Sequence, residues 1–285
     1  MCPRVLKWSS TKLLEGHKVA LATVISATGS VPGKPGARIA ITEHGEKFGT
    51  VGGAGLEFMV LKKLDHLIKH ENAGGIVETF ALNKSAKGFE VVALDSLCGG
   101  KVTISMEVVL PMPHILLFGG GHVAKAIISI TEQIGWNYSI HDSRKQFSNK
   151  LDFPNGIELH CNSVKEFLKN ENQQSLQRFS DLLLLGHDWK EDEERLIGLL
   201  KIMSETKKIN PRIGVIGSKS KWKNFEKKAL EQNIKQELID QVICPIGLNI
   251  GAQSPEEIAI AVCGQIISLI KEKDPNEGNW RTQSN

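Results

Sequence analysis

The chain has 285 residues, 41% hydrophobic and 24% charged, with a formal net charge of +3 at pH 7. That is the composition of a soluble globular protein long enough for two cores. So small a charge excess, with no stripe of Lys and Arg interleaved with aromatics, argues against a nucleic-acid partner. No apolar run reaches the ~18 residues needed to span a bilayer, and Met1-Cys2-Pro3-Arg4 lacks a signal-peptide core, so a cytoplasmic protein with no membrane partner is expected.

Residues 19–27 are β-branched and apolar, and Thr28-Gly29-Ser30-Val31-Pro32-Gly33-Lys34-Pro35-Gly36 follows as a loop too rich in Gly and Pro for regular structure. A strand over 38–42, a turn at His44-Gly45 and a glycine loop, Gly49-Thr50-Val51-Gly52-Gly53-Ala54-Gly55, lead into residues 56–64, whose apolar positions recur at helical spacing. Strands over 75–81 and 101–110 close this unit, with Leu97-Cys98-Gly99-Gly100 between them. Pro111-Met112-Pro113 cannot continue a ladder and marks a domain boundary.

The second part alternates strand and helix: strand 115–118, helix 123–134, strand 137–141, strand 156–160, helix 164–170, strand 181–185, helix 191–204, strand 212–216, then a lysine-rich helix. Ser254-Pro255-Glu256-Glu257 opens the last helix with a capping box and runs apolar to about residue 270. The predicted fold class is α/β: a mixed α/β domain over 1–110, a Rossmann-like, doubly wound, mostly parallel sheet over 111–273, and a polar tail over 274–285.

The most informative motif is Gly119-Gly120-Gly121-His122-Val123-Ala124, a G-x-G-x-x-A turn between a strand and a helix. Its glycines let backbone approach a ligand, and free amides at the helix start attract phosphate. Asp142, 21 residues beyond Gly121 at the next strand end, is placed either to hold a ribose hydroxyl or to cap the strand, and Arg144 favours a phosphate there. His187 follows a buried strand and is either a proton shuttle and anion donor or a loop histidine bonded to backbone. Gly217 and Ser218 follow the next strand, so three strand ends aim polar groups at one crevice.

The glycine-bearing apolar loop 245–252 either packs beneath the sheet edge or forms the crevice floor. The five cysteines are scattered and contain no C-x-x-C pair. Cys98, beside Gly99 and Gly100, is either a reactive thiol or soft metal ligand, or a buried structural residue, whereas Cys161, Cys244 and Cys263 read as core. The basic stretch holding Lys219, Lys221 and Lys223 reads as a solvated face. With no G-x-S-x-G, H-E-x-x-H or Walker loop, hydrolase and ATPase chemistry lack support.

Taken in order, these pieces resemble the XdhC/CoxI family, the xanthine dehydrogenase accessory factors, from about residue 20 to 270. The resemblance rests on Ala22-Thr23-Val24, Gly29-Ser30, Pro35-Gly36-Ala37-Arg38, Gly49-Thr50-Val51-Gly52-Gly53 with Leu56-Glu57, and Cys98-Gly99-Gly100. It continues through Phe118-Gly119-Gly120-Gly121-His122-Val123-Ala124, Asp142-Ser143-Arg144, His187-Asp188, Ile216-Gly217-Ser218-Lys219, Pro245-Ile246-Gly247-Leu248-Asn249-Ile250-Gly251-Ala252 and Ser254-Pro255-Glu256-Glu257.

The resemblance implies a maturation factor rather than an enzyme: a chaperone that binds molybdenum cofactor, supports its sulfuration by a cysteine desulfurase and delivers it to a molybdenum hydroxylase; the last apolar helix is the expected support for a homodimer. In that reading Gly119, Gly120, Gly121, His122 and Val123 take the phosphate, Asp142, Arg144, His187, Gly217 and Ser218 serve the pterin, Gly52, Gly53, Gly99 and Gly100 also bind the cofactor, and Cys98 faces the metal or its sulfur. Where family members often carry a cysteine in the first glycine loop, this chain reads Gly53-Ala54-Gly55-Leu56. The rival expectation is an NAD(P)-dependent oxidoreductase using the second domain.

Overall fold

The structure is a computed structural model and describes residues 3–70, 74–82, 91–93 (backbone only), 99–186, 188–204 and 210–275. The chain divides into two compact units, Met1–Met112 and Pro113–Asn285.

The first unit runs α1 (Pro3–Leu14), β1 (Val19–Thr28), β2 (Arg38–Thr42), β3 (Lys47–Thr50), α2 (Ala54–His70), β4 (Gly74–Ala81), β5 (Val91–Ala93) and β6 (Lys101–Val109). Its strands form one sheet in the order β3-β2-β1-β6-β4-β5, antiparallel except for β4 with β5. The two-residue period of a strand sorts the side chains. Ala20, Ala22, Val24, Ile39 and Ile41 face Leu56, Val60, Leu64 and Leu67 of α2, while Val19, Leu21 and Ala40 face Val5 and Trp8 of α1. Each fully buried Leu or Val contributes roughly 1.5–3 kcal/mol relative to exposure. α1 and β3 were not expected from the sequence.

The second unit runs β7 (His114–Phe118), α3 (His122–Gln133), β8 (Asn137–His141), β9 (Leu159–His160), α4 (Val164–Asn170), α5 (Gln173–Leu176), β10 (Asp181–Leu184), α6 (Trp189–Ile202), β11 (Arg212–Val215), α7 (Lys219–Glu231), α8 (Gln236–Ile239) and α9 (Pro255–Ile270). All five strands are parallel, in the order β11-β10-β7-β8-β9. Leu116, Phe118, Leu182, Leu184, Ile213 and Val215 point to one face, covered by α4, α6 and α7. Ile115, Leu117, Ile140 and Leu183 point to the other, covered by α3 and α9. A sheet buried on both faces explains why its strands are continuous apolar runs.

The strand expected over 156–160 shortens to Leu159–His160, because Gly156 closes a turn on Phe153 and Ile157 reaches Tyr138 outside the regular ladder. Cys161, expected in the core, is exposed where the chain leaves this edge strand, whereas Cys263 is buried and Cys244 half-buried. Ile243 adds an isolated parallel bridge to Gly214, and Ile246 donates its amide to Val215, so segment 243–246 lines the far edge of β11. Among the described residues, no helix is long and apolar enough to cross a membrane.

Candidate functional site

In a doubly wound sheet, ligands settle where the strand order reverses, here between the carboxyl ends of β7 and β10. Gly119 ends β7 at φ +111°, a left-handed backbone that suits glycine. A Cβ on Gly119 would stand 3.2 Å from the Gly186 Cα, so the two strand ends meet glycine to glycine. The Gly120 amide donates to Asp142 Oδ2 at 3.0 Å, and a Cβ on Gly120 would collide with the Phe147 carbonyl. Gly121 differs from both: it is the N-cap of α3, and a Cβ there would meet open space.

No side chain caps α3, and its first turn carries no acidic residue. The first helical bond from this end is Lys125 N to Gly121 O at 3.0 Å; the amides of Gly121, His122, Val123 and Ala124 have no protein acceptor among the described residues. Unpaired amides at the positive end of a helix dipole are suited to an anion. His122 itself is exposed and faces a depression of about 440 Å³ between α3 and α9, with Lys125, Ser129 and Glu256.

Asp142 is buried and both of its oxygens are engaged. Oδ1 accepts from Arg144 N at 3.0 Å and Nε at 2.9 Å, while Oδ2 accepts from Gly120 N at 3.0 Å and Arg144 Nη2 at 2.8 Å. Burial alone would raise its pKa, but the bonds from Arg144 and Gly120 outweigh this and hold it below the usual carboxylate range. A carboxylate offers about four lone-pair sites, so a ligand hydroxyl would have to displace Arg144 from Asp142. The guanidinium of Arg144 also lies over the Phe147 ring at 4.0 Å. Asp142 therefore ties the glycine turn, Arg144 and the turn at Phe147 into one piece.

A buried charged network beneath this edge was missed by the sequence reading. Asp192 is fully buried and accepts from Arg195 Nη1 at 3.1 Å and Lys221 Nζ at 2.9 Å. Lys221 Nζ also donates to the Ile216 carbonyl at 3.1 Å, and Arg195 Nη2 to Glu191 at 2.7 Å. Ser143 Oγ donates to Glu191 at 2.8 Å. The network thus links the ends of β8, β10 and β11. Lys221, expected on a solvated face, instead turns inward. The signal was periodic: Asp192, Arg195, Leu196 and Leu199 fall on one helical face, so the charges share the apolar stripe. His141, buried beneath the turn, is pushed down to about pKa 4 by burial and by the nearby charge of Arg195, so its imidazole is neutral at pH 7.

At the end of β11, Ser218 caps α7 by accepting from Lys221 N, and Gly217 packs on the Lys221 side chain. Ile216, Gly217 and Ser218 line a depression of about 470 Å³ together with residues from Pro245 to Ala252. Of the two placements expected for the loop, packing beneath the sheet edge is seen in the buried Ile246, while Leu248 and Asn249 line this hollow at the end of β11.

In the first unit, three glycine loops come together. A Cβ on Gly29 would lie 3.0 Å from the Gly100 Cα, one on Gly52 2.6 Å from the Pro32 carbonyl, and one on Gly53 2.6 Å from the Pro32 ring. Gly52 and Gly53 have φ of +85° and +73°. Gly100 is buried and Gly99 exposed. Cys98 and His187 lie outside the described residues.

Residues 115–266, more than half of the chain, match the XdhC Rossmann domain, and residues 13–80 match the XdhC and CoxI family. The uncharacterized protein YqeB of Escherichia coli (strain K12) is 26% identical over 251 residues, covering 88% of this chain and 43% of that protein. The chain thus spans less than half the length of that curated relative. A Bacillus halodurans chain described as a xanthine dehydrogenase is 20% identical, with 96% of this chain and 98% of that one covered and a TM-score of 0.48. The chain therefore belongs to the XdhC and CoxI family.

Proposed function

We propose that the protein is an accessory chaperone that binds molybdenum cofactor as cargo, supports its sulfuration by a cysteine desulfurase and delivers it to a xanthine dehydrogenase-type or related molybdenum hydroxylase. The observation that carries this reading is the uncapped start of α3, with its unpaired amides and the open space beside Gly121. The cargo has a phosphate, a polar pterin and a metal held through soft sulfur. The amides of Gly121, His122 and Val123 take the phosphate, while Gly119 and Gly120 shape the turn that presents them.

Arg144, fixed by Asp142, adds a cationic group at the next strand end. Gly217 and Ser218, with the hollow below them, and His187 serve the pterin. Cys98, flanked by Gly99 and Gly100 and in the unit that holds Gly52 and Gly53, is the thiol for the metal or its sulfur. The protein acts as a cytoplasmic homodimer and carries cargo rather than turning over a substrate of its own.

The saturated carboxylate of Asp142 counts against the rival NAD(P) reading, since the ribose hydroxyl loses its expected acceptor. Mixing the purified chain with NADH, NADPH and isolated molybdopterin, and reading fluorescence quenching and anaerobic co-elution, separates the two. Molybdopterin should co-elute; tight nicotinamide binding without it would overturn the proposal.

A further inference from the structure

The first unit holds a second cluster of chemistry-bearing residues. His17 leaves the C-terminal turn of α1, its amide bonded to the Lys12 carbonyl at 2.9 Å, two residues before β1 begins. Glu43 and His44 form the tip of the β2–β3 hairpin, which closes through Thr42 N to Glu46 O at 2.9 Å and turns on Gly45 at φ +83°. Because Val19 pairs with Thr42, the sheet register brings these two turns side by side.

The donor atoms of His17, Glu43 and His44 all lie within 4.8 Å of one another. His17 Nδ1 is 3.6 Å and His44 Nε2 3.9 Å from Glu43 Oε1, and the two imidazoles meet edge to face at 5.3 Å. Those separations are too long for hydrogen bonds. They approach the spacing of ligands around a shared cation, since tetrahedral zinc at ~2.0–2.1 Å from each donor sets them about 3.4 Å apart.

A second observation points the same way: Glu43 Oε2 is buried and has no hydrogen-bond partner. Leaving a buried carboxylate oxygen unsatisfied is costly, and among the described residues the only basic side chains in ion-pair range of Glu43 are the two histidines. The neighbouring Lys12 is already shared between Glu15 and Glu46, at 3.0 and 2.8 Å.

We propose that His17, Glu43 and His44 bind a borderline divalent cation, zinc being the type case. Two imidazoles and one carboxylate favour zinc over calcium or magnesium, which prefer all-oxygen shells. The His44 side chain is 57% exposed, so a fourth position opens to solvent and takes water or a small ligand. The ion would clamp the α1–β1 joint to the β2–β3 hairpin.

The test uses the full-length chain stripped of metal, titrated with zinc against a chromophoric chelator and separately with cobalt(II). One equivalent should bind, with a cobalt spectrum lacking thiolate charge transfer although the chain has five cysteines. Affinity should fall about 100-fold in the His17→Ala/His44→Ala double variant and at least about tenfold in His44→Ala alone. The single variant alters an exposed side chain and should leave the metal-free unfolding midpoint unchanged. Absence of zinc binding, a thiolate band, or an affinity unchanged by His44→Ala would each overturn the assignment.

Discussion

Replacing Asp192 with alanine removes the carboxylate that joins Arg195 and Lys221 at the carboxyl edge of the parallel sheet. Asp192 and Arg195 are both almost wholly buried, while the Lys221 side chain keeps 20% exposure. Removing one partner of a buried ion pair costs ~3–5 kcal/mol, because the surviving charge stays buried and uncompensated. Here Arg195 retains Glu191 and Lys221 retains the Ile216 carbonyl, so the lower end applies, about 3 kcal/mol. In a unit of this size that lowers the unfolding midpoint by ~6–12 °C. Trp189 and Trp222, on α6 and α7, report the transition by fluorescence, and urea titration supplies the free energy. Asp192→Asn, which keeps shape and loses charge, should cost less, about 1–2 kcal/mol. A loss below about 1 kcal/mol for Asp192→Ala would show the network to be well solvated and refute the reasoning.

Other substitutions and conditions divide cleanly. Gly120→Ala drives a Cβ into the Phe147 carbonyl and should cost ~1–3 kcal/mol, whereas Gly121→Ala enters open space and should change urea stability by less than about 1 kcal/mol. Ser254→Ala removes a capping-box acceptor from α9 and should cost about 1 kcal/mol in the same assay. His114 and His141 are each held down to about pKa 4, chiefly by burial, against 6.5 when unfolded. The unfolded chain then binds more protons between those values, so stability is full above pH 6.5 and falls as pH drops toward 4, by up to ~1.4 kcal/mol per pH unit for each histidine. Glu158, held down to about pKa 2 against the pull of burial by His160 and Arg178, adds its loss only below pH 4.5. A urea midpoint that stays flat from pH 7 to 5 would contradict the histidine contribution, and His141→Gln should roughly halve the slope.

Much of this fold was legible because burial on both faces leaves a plain mark. The runs at 115–118 and 181–184 became adjacent parallel strands, and Ser254 with Glu257 fixed the start of α9. The glycine turn was legible for the same local reason, since a strand running into Gly119 and an uncapped helix needs no distant partner. What stayed hidden depends on tertiary neighbours. The acidic run Glu191-Asp192-Glu193-Glu194 looks solvated until Arg195 and Lys221 are seen to close on Asp192. Asp142 carried the right position for a ribose contact, yet nothing local announced that Arg144 and Gly120 would use its oxygens. Cys161 follows an apolar segment but lies just past an edge strand of two residues, where the sheet ends and solvent begins. The pairing of His17 with Glu43 and His44 is a product of sheet register, invisible from their separation in the chain.

The central claim is that the start of α3 holds the phosphate of a molybdopterin cargo. Anaerobic titration of isolated molybdopterin into wild type and Gly121→Ala, with inorganic phosphate as competitor, tests it most directly. A methyl group beside the unpaired amides should weaken binding at least about tenfold, or 1.4 kcal/mol, while the urea midpoint stays close to that of wild type, and phosphate should compete only with wild type. Equal affinity in the two proteins would contradict the account.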